Sequence, residues 1–179
     1  MTSDWRPGDK RPDRASMLRV NQAGEYGATR IYAGQLAVLR RNCPESKLIA
    51  RMAAQEERHL KRFNALMTDR RVRPTALQPL WNVAGFALGA ATALMSEKAA
   101  LACTDAVETE IDKHYAEQLR QLGSDDAELA GDIAEFQADE VEHRDSARQA
   151  GAAQAVGYPL LTAAIRAGCR VAIGLSKRI

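Results

Sequence analysis

The sequence predicts an all-α protein: a bundle of four long helices in which the second pair copies the first. Three observations predict it. Apolar residues recur at helical spacing along four separate stretches. Alanine is abundant, β-branched runs are nearly absent and aromatics make up only 5% of the chain, which favours helix over strand. The chain also repeats itself. Ile31-Tyr32-Ala33-Gly34-Gln35-Leu36 lies 83 residues before His114-Tyr115-Ala116-Glu117-Gln118-Leu119, and Ala54-Gln55-Glu56-Glu57-Arg58-His59 lies 84 before Ala138-Asp139-Glu140-Val141-Glu142-His143. One extra residue in the second turn accounts for the difference. A duplicated helix pair gives a bundle with an internal pseudo-twofold axis.

The elements follow in order. Residues 1–13 read as a disordered leader without the apolar stretch of a signal peptide. Residues 14–179 form a single domain. A first helix spans 15–41, with Leu18, Glu25, Tyr32 and Leu39 on one heptad-spaced line; Asn42-Cys43-Pro44 breaks it. A second spans 45–68 with the stripe Met52, Glu56, His59, Phe63, Leu66. Residues 74–96 carry no charge and are nearly long enough to span a bilayer. Pro79, Gln78, Asn82 and many small residues argue instead for an apolar crossover helix, on the bundle or at a membrane interface.

A third helix over 96–122 has the stripe Leu101, Thr104, Glu108, Ile111, Tyr115, Leu122, and Gly123-Ser124-Asp125 stops it. The fourth, over 126–150, has Leu129, Ile133, Phe136, Glu140, His143 and Ala147 in line. The segment 156–179 is apolar with Arg166, Arg170, Lys177 and Arg178 interspersed, the pattern of an amphipathic helix on a membrane surface or closing the bundle.

Composition excludes several classes. The net charge of +2 is too small to suggest nucleic acid. Cys43, Cys103 and Cys169 are widely separated, which argues against a zinc ribbon or disulfide framework and for a reducing compartment.

The chemistry lies in the histidines. Two of the three, His59 and His143, follow a glutamate by three residues, in Glu56–His59 and Glu140–His143. Residues i and i+3 share a helical face, so each pair can converge on one ion. A lone glutamate precedes each pair: Glu25 by 31 residues and Glu108 by 32, the length of one helix, a turn and the return to the same height. All six lie within apolar stripes. Four buried carboxylates would repel one another, whereas two divalent cations would balance them. The bland alternative is surface Glu and His on a misphased wheel, and six together make it a poor account. Oxygen-rich ligation with two imidazoles and no thiolate suits iron or manganese. So few ligands for two metals leave positions open to dioxygen or substrate.

Other residues are ambiguous from sequence. Gly24 and Gly27 flank Glu25 and Gly34 follows, although each glycine in a helix interior costs roughly 1 kcal/mol relative to alanine. They read either as a packing notch or as room for a substrate. Tyr32 and Tyr115 each follow a ligand glutamate by seven residues, and read as core or as hydrogen-bond partners of the metal ligands. His114 lies off the apolar stripe and is not expected to be a ligand; a pocket-rim or redox role is left to it.

Asn21-Gln22-Ala23-Gly24-Glu25-Tyr26-Gly27-Ala28, Arg30-Ile31-Tyr32-Ala33-Gly34-Gln35, Gln55-Glu56-Glu57-Arg58-His59-Leu60, Ala102-Cys103-Thr104-Asp105-Ala106-Val107-Glu108 and Asp139-Glu140-Val141-Glu142-His143 together resemble the demethoxyubiquinone hydroxylase family. The resemblance implies a ferritin-like bundle and a di-iron monooxygenase of ubiquinone biosynthesis. Glu25, Glu56 and His59 would hold one iron and Glu108, Glu140 and His143 the other, with one or more glutamates bridging. It further implies O2 as oxidant, a polyprenylated quinone as substrate, and two external electrons from a donor such as NADH or the reduced quinol. The lipid tail implies a peripheral enzyme on a membrane surface, the cytoplasmic face of the inner membrane for the bacterial member that the short N-terminus suggests. A homo-oligomer or a ubiquinone-biosynthesis partner protein is compatible with this reading, and nucleic acid is not expected. Two other classes share parts of the pattern: a ferritin-like iron-oxidising or peroxide-scavenging protein, and a non-catalytic membrane-bound scaffold.

Overall fold

A computed structural model describes residues 13–178, which fold into six α-helices and no strand. Four form the bundle: α1 (Arg14–Val38), α2 (Pro44–Asp69), α4 (Glu97–Leu122) and α5 (Ala127–Gln149). Outside it lie α3 (Gln78–Met95), the crossover, and α6 (Tyr158–Ser176), which follows a short 3-10 turn at Ala152–Gln154. Residues 1–12 of the expected leader lie outside the described residues. Asp13, the last of the leader, instead caps α1, its carboxylate accepting from the Ser16 N–H at 3.0 Å.

Helix ends follow local chemistry. α1 stops at Val38, short of the expected residue 41, because the chain needs an extended Leu39 and a four-residue turn before Pro44. Cys43 is extended (ψ 152), as the residue before a proline must be, and its Sγ caps α2 by accepting from the Ser46 N–H at 3.4 Å. Ser96 caps α4, Asp126 caps α5, and Gly123 ends α4 at φ 51.

The inward stripes pack as expected. One apolar cluster fills the end of the bundle near Leu18, Phe63, Leu66, Leu122, Leu129 and Ile133; a second fills the other end around Ile49, Met52, Leu101 and Ala147. Between them lies a polar layer. Ile111 alone among the stripe residues is only half-buried.

α3 lies against α1 with backbones in contact. A Cβ on Gly34 would stand 2.1 Å from the Phe86 carbonyl oxygen, and one on Gly89 would stand 1.9 Å from that of Ile31. Only Gly89, Thr92 and Ala93 of α3 are buried, so Leu80, Val83, Leu94 and Met95 face outward. α6 seats Ile165 against Cys103, Ala106 and Val107 of α4, and leaves Leu160 and Val171 exposed. Two of its basic residues, although partly exposed, are paired with the bundle. Arg166 donates to Glu110 of α4 at 2.7 Å and Arg170 lies 3.3 Å from the same carboxylate. Burying Glu110 would be costly without these partners. No helix among the described residues is long and apolar enough to cross a membrane.

Candidate metal centre

The polar layer is made by six side chains. Glu25 comes from α1, Glu56 and His59 from α2, Glu108 from α4, and Glu140 and His143 from α5; all six are at most 2% exposed. Two four-residue groups have ligand atoms within 4.8 Å of one another: Glu25, Glu56, His59 and Glu140, and Glu56, Glu108, Glu140 and His143. Each group thus adds, to the trio expected from sequence, the Glu-x-x-His glutamate of the opposite half. Glu56 and Glu140 belong to both. That sharing was not legible in the spacing, because it depends on how the two halves face each other.

Eight atoms of these residues are buried without a hydrogen-bond partner: Oε2 of Glu25 and Glu108, both carboxylate oxygens of Glu56 and Glu140, and Nδ1 of both histidines. They converge. His59 Nδ1 lies 3.5 Å from Glu25 and 3.4 Å from Glu140, and His143 Nδ1 lies 3.1 Å from Glu56 and 3.3 Å from Glu140. Orphaned polar atoms are rare in folded interiors, and a convergent set of carboxylate oxygens and imidazole nitrogens fits cations.

The electrostatics agree. Burial and the neighbouring carboxylates push Glu56 well above the usual carboxylate range, burial and Glu140 do the same to Glu108, and burial lifts Glu140 to about 7. Burial also opposes the charge on Glu25, but the imidazole of His59 together with Glu56 and the Tyr115 hydroxyl outweighs it and holds Glu25 low. Burial opposes protonation of His59 too, yet Glu140 and Glu25 raise it to about 10; His143 is lowered by burial. Without cations, protons on the ligands would be needed to offset the repulsion among these carboxylates.

A surrounding set of groups orients these ligands. The Tyr32 hydroxyl donates to Glu108 Oε1 at 2.6 Å, and the Tyr115 hydroxyl donates to Glu25 Oε1. Each tyrosine reaches the glutamate of the other half, so both are buried packing residues and hydrogen-bond partners at once. The imidazoles are held from behind. His59 Nε2 meets Asp139 Oδ2 at 2.9 Å, and His143 Nε2 meets Gln55 Oε1 at 3.0 Å. Sequence reasoning missed Gln55 and Asp139. Their signal was present: they match in the repeat, each directly before a ligand glutamate.

His114 does not join the cluster. It meets Gln118 at 2.8 Å beside a small surface pocket lined also by Ser16, Glu117 and Lys177, and burial lowers it to about 4. The glycines divide. Gly34 is a packing notch, whereas added Cβ atoms on Gly24 and Gly27 would meet nothing within 4 Å, so open space adjoins the Glu25 turn.

Comparison with known proteins adds an independent line. The family described as "Ubiquinone biosynthesis protein COQ7" matches residues 13–176. A Rhodospirillum rubrum protein named 3-demethoxyubiquinol 3-hydroxylase is 53% identical over 180 residues, covering 98% of this chain and 84% of its own. A human protein named NADPH-dependent 3-demethoxyubiquinone 3-hydroxylase, mitochondrial, is 52% identical over 167 residues, covering 91% and 76%. A Saccharomyces cerevisiae protein named 5-demethoxyubiquinone hydroxylase, mitochondrial, is 43% identical over 179 residues, covering 91% and 77%. The match spans the whole bundle together with α3 and α6, and on it this chain belongs to the COQ7 family of ubiquinone biosynthesis proteins.

Proposed function

We propose that this protein is an oxidoreductase that hydroxylates the quinone ring of demethoxyubiquinone, the step before the final O-methylation. The observation that carries this reading is the pair of buried ligand groups sharing Glu56 and Glu140, in a chain of this family. Glu25, Glu56, His59 and Glu140 would hold one iron, and Glu56, Glu108, Glu140 and His143 the other. Iron bound there supplies activation of O2 for transfer of one oxygen atom to the ring, with two electrons from a reduced nicotinamide or the quinol itself.

The protein's own residues do the rest. Tyr32 and Tyr115 fix the rotamers of Glu108 and Glu25, so one oxygen of each stays turned towards the centre. Asp139 and Gln55 hold the Nε2 sides of the imidazoles and leave Nδ1 facing inward. Apolar clusters above and below the layer exclude water from it. The uncrowded surface at Gly24 and Gly27, beside Glu25 in sequence, is where the head group would approach.

The substrate's tail keeps it in the bilayer, since each buried methylene is worth about 0.8 kcal/mol. The exposed apolar faces of α3 and α6 supply a peripheral contact with that lipid surface, on the cytoplasmic face of the inner membrane in a bacterial cell. The ferritin-like alternative accounts for the six ligands but not for family membership.

The test is reconstitution of the purified protein with ferrous iron, a short-tailed demethoxyubiquinol and 18O-labelled O2. Mass spectrometry should find one labelled oxygen on the ring. Iron oxidation without a hydroxylated product would sink the reading.

A further inference from the structure

We propose that the two metal positions are inequivalent, and that Asp139 makes the one held by His59 the tighter. The inference rests on the metal reading above and goes beyond it.

The repeat sets Gln55 and Asp139 at matching positions, and each accepts from the imidazole of the opposite half: His59 on Asp139 at 2.9 Å and His143 on Gln55 at 3.0 Å. With Nδ1 facing the ligand cluster, Nε2 carries the ring proton and donates in both cases. The acceptors differ in charge. A carboxylate draws the N–H proton harder than an amide oxygen does, so the His59 ring gives more electron density through Nδ1. The other pair of contacts to the ligands is matched between the halves, Tyr32 on Glu108 and Tyr115 on Glu25.

Arg58 orients this carboxylate. Its Nη2 donates to Asp139 Oδ2 at 2.6 Å and fixes the carboxylate against His59. The Arg58 side chain is 57% exposed, so water screens its charge and leaves Asp139 an effective acceptor for the imidazole. In the repeat, Glu142 stands where Arg58 does, so Gln55 has no cationic counterpart at that place. Asp139 is therefore a positioning residue that acts on the metal through His59.

The experiment is an anaerobic titration of the metal-free full-length protein with ferrous iron against a competing chelator, with 57Fe Mössbauer spectra at each stoichiometry. Wild-type protein should fill in two steps at least about tenfold apart, and show two ferrous quadrupole doublets. Asp139→Asn keeps an acceptor for His59 and removes the charge. It should weaken the tighter step by roughly ten- to a hundredfold, leave the other unchanged and bring the doublets together. Gln55→Glu tests the same idea without touching Asp139, and should tighten the weaker step. Equal wild-type affinities, a parallel loss of both steps in Asp139→Asn, or a gap that Gln55→Glu leaves untouched would overturn the proposal. A protein that takes up no iron would overturn the metal reading itself, and this proposal with it.

Discussion

The bundle interior and the outer faces of α3 and α6 invert the usual partition of side chains. Four glutamates and two histidines lie at 0 to 2% exposure at the centre, while Val83, Leu94 and Leu160 are 68 to 78% exposed on the outside. Neither arrangement stabilises an isolated chain. Buried like charges repel and exposed apolar surface forgoes its transfer energy. Under the proposed function each would have a partner, cations in one case and a lipid phase in the other. The comparison teaches that departures from good packing, when they cluster, mark where a protein meets something other than water.

The sharpest way to break the comparison is at a shared ligand. Glu56→Leu removes a carboxylate common to both groups, so metal uptake and hydroxylation should both be lost, activity falling by at least about a hundredfold. The metal-free variant should nevertheless melt higher than metal-free wild type, because a buried carboxyl group without a hydrogen-bond partner gives way to an apolar group. About 1–4 kcal/mol is expected, or several degrees in Tm for a chain of this size. Calorimetry beside metal analysis checks both halves, and full activity in the variant would remove Glu56 from the site.

A second prediction uses pH. Relative to an unfolded chain, His59 is raised to about 10 and Glu140 to about 7, with Glu56 and Glu108 also raised. A raised group lends stability below its unfolded value and loses it as pH rises through its folded value. Metal-free protein should therefore become less stable from pH 6.5 towards 9, as the cluster sheds its protons. Cations replace those protons, so the gain in Tm on adding ferrous iron anaerobically should grow over the same window. A gain that shrinks with pH would contradict the charge balance drawn here.

The outer faces are tested by replacing Leu80, Val83 and Leu94 with serine. Each exposed side chain can bury apolar area worth roughly 1.5–3 kcal/mol in lipid, so flotation with liposomes should fall at least about tenfold while iron content holds. Unchanged flotation would return these residues to an unpartnered surface. The smallest effect separates the glycines. Gly34→Ala forces α1 off the Phe86 backbone and should cost about 1–3 kcal/mol. Gly24→Ala meets nothing, and should be neutral or up to about 1 kcal/mol stabilising in a urea melt.

The sequence by itself determined which residues enter the interior. Helical spacing placed Glu25, Glu56, His59, Glu108, Glu140 and His143 on buried stripes, and the structure brings them into one layer. Periodicity is a local property of the chain, so it is readable before folding. Helix ends set by Pro44 and Gly123 were legible for the same reason, while the cap of α5 falls on Asp126, one residue beyond the Gly123-Ser124-Asp125 stop. Family motifs in the chain itself pointed to the activity that the relatives' names carry.

What only the tertiary structure decided was every relation between elements. That Glu56 and Glu140 are shared, that Tyr32 reaches Glu108 and Tyr115 reaches Glu25, and that Asp139 and Gln55 stand behind the imidazoles depends on how two helix pairs are rotated and set together. The same holds for Arg166 and Arg170, whose pairing with Glu110 of α4 a lone amphipathic pattern does not reveal. A helical wheel gives the direction of a side chain from its own axis. Which group it meets is fixed by packing between axes, and no single helix encodes that.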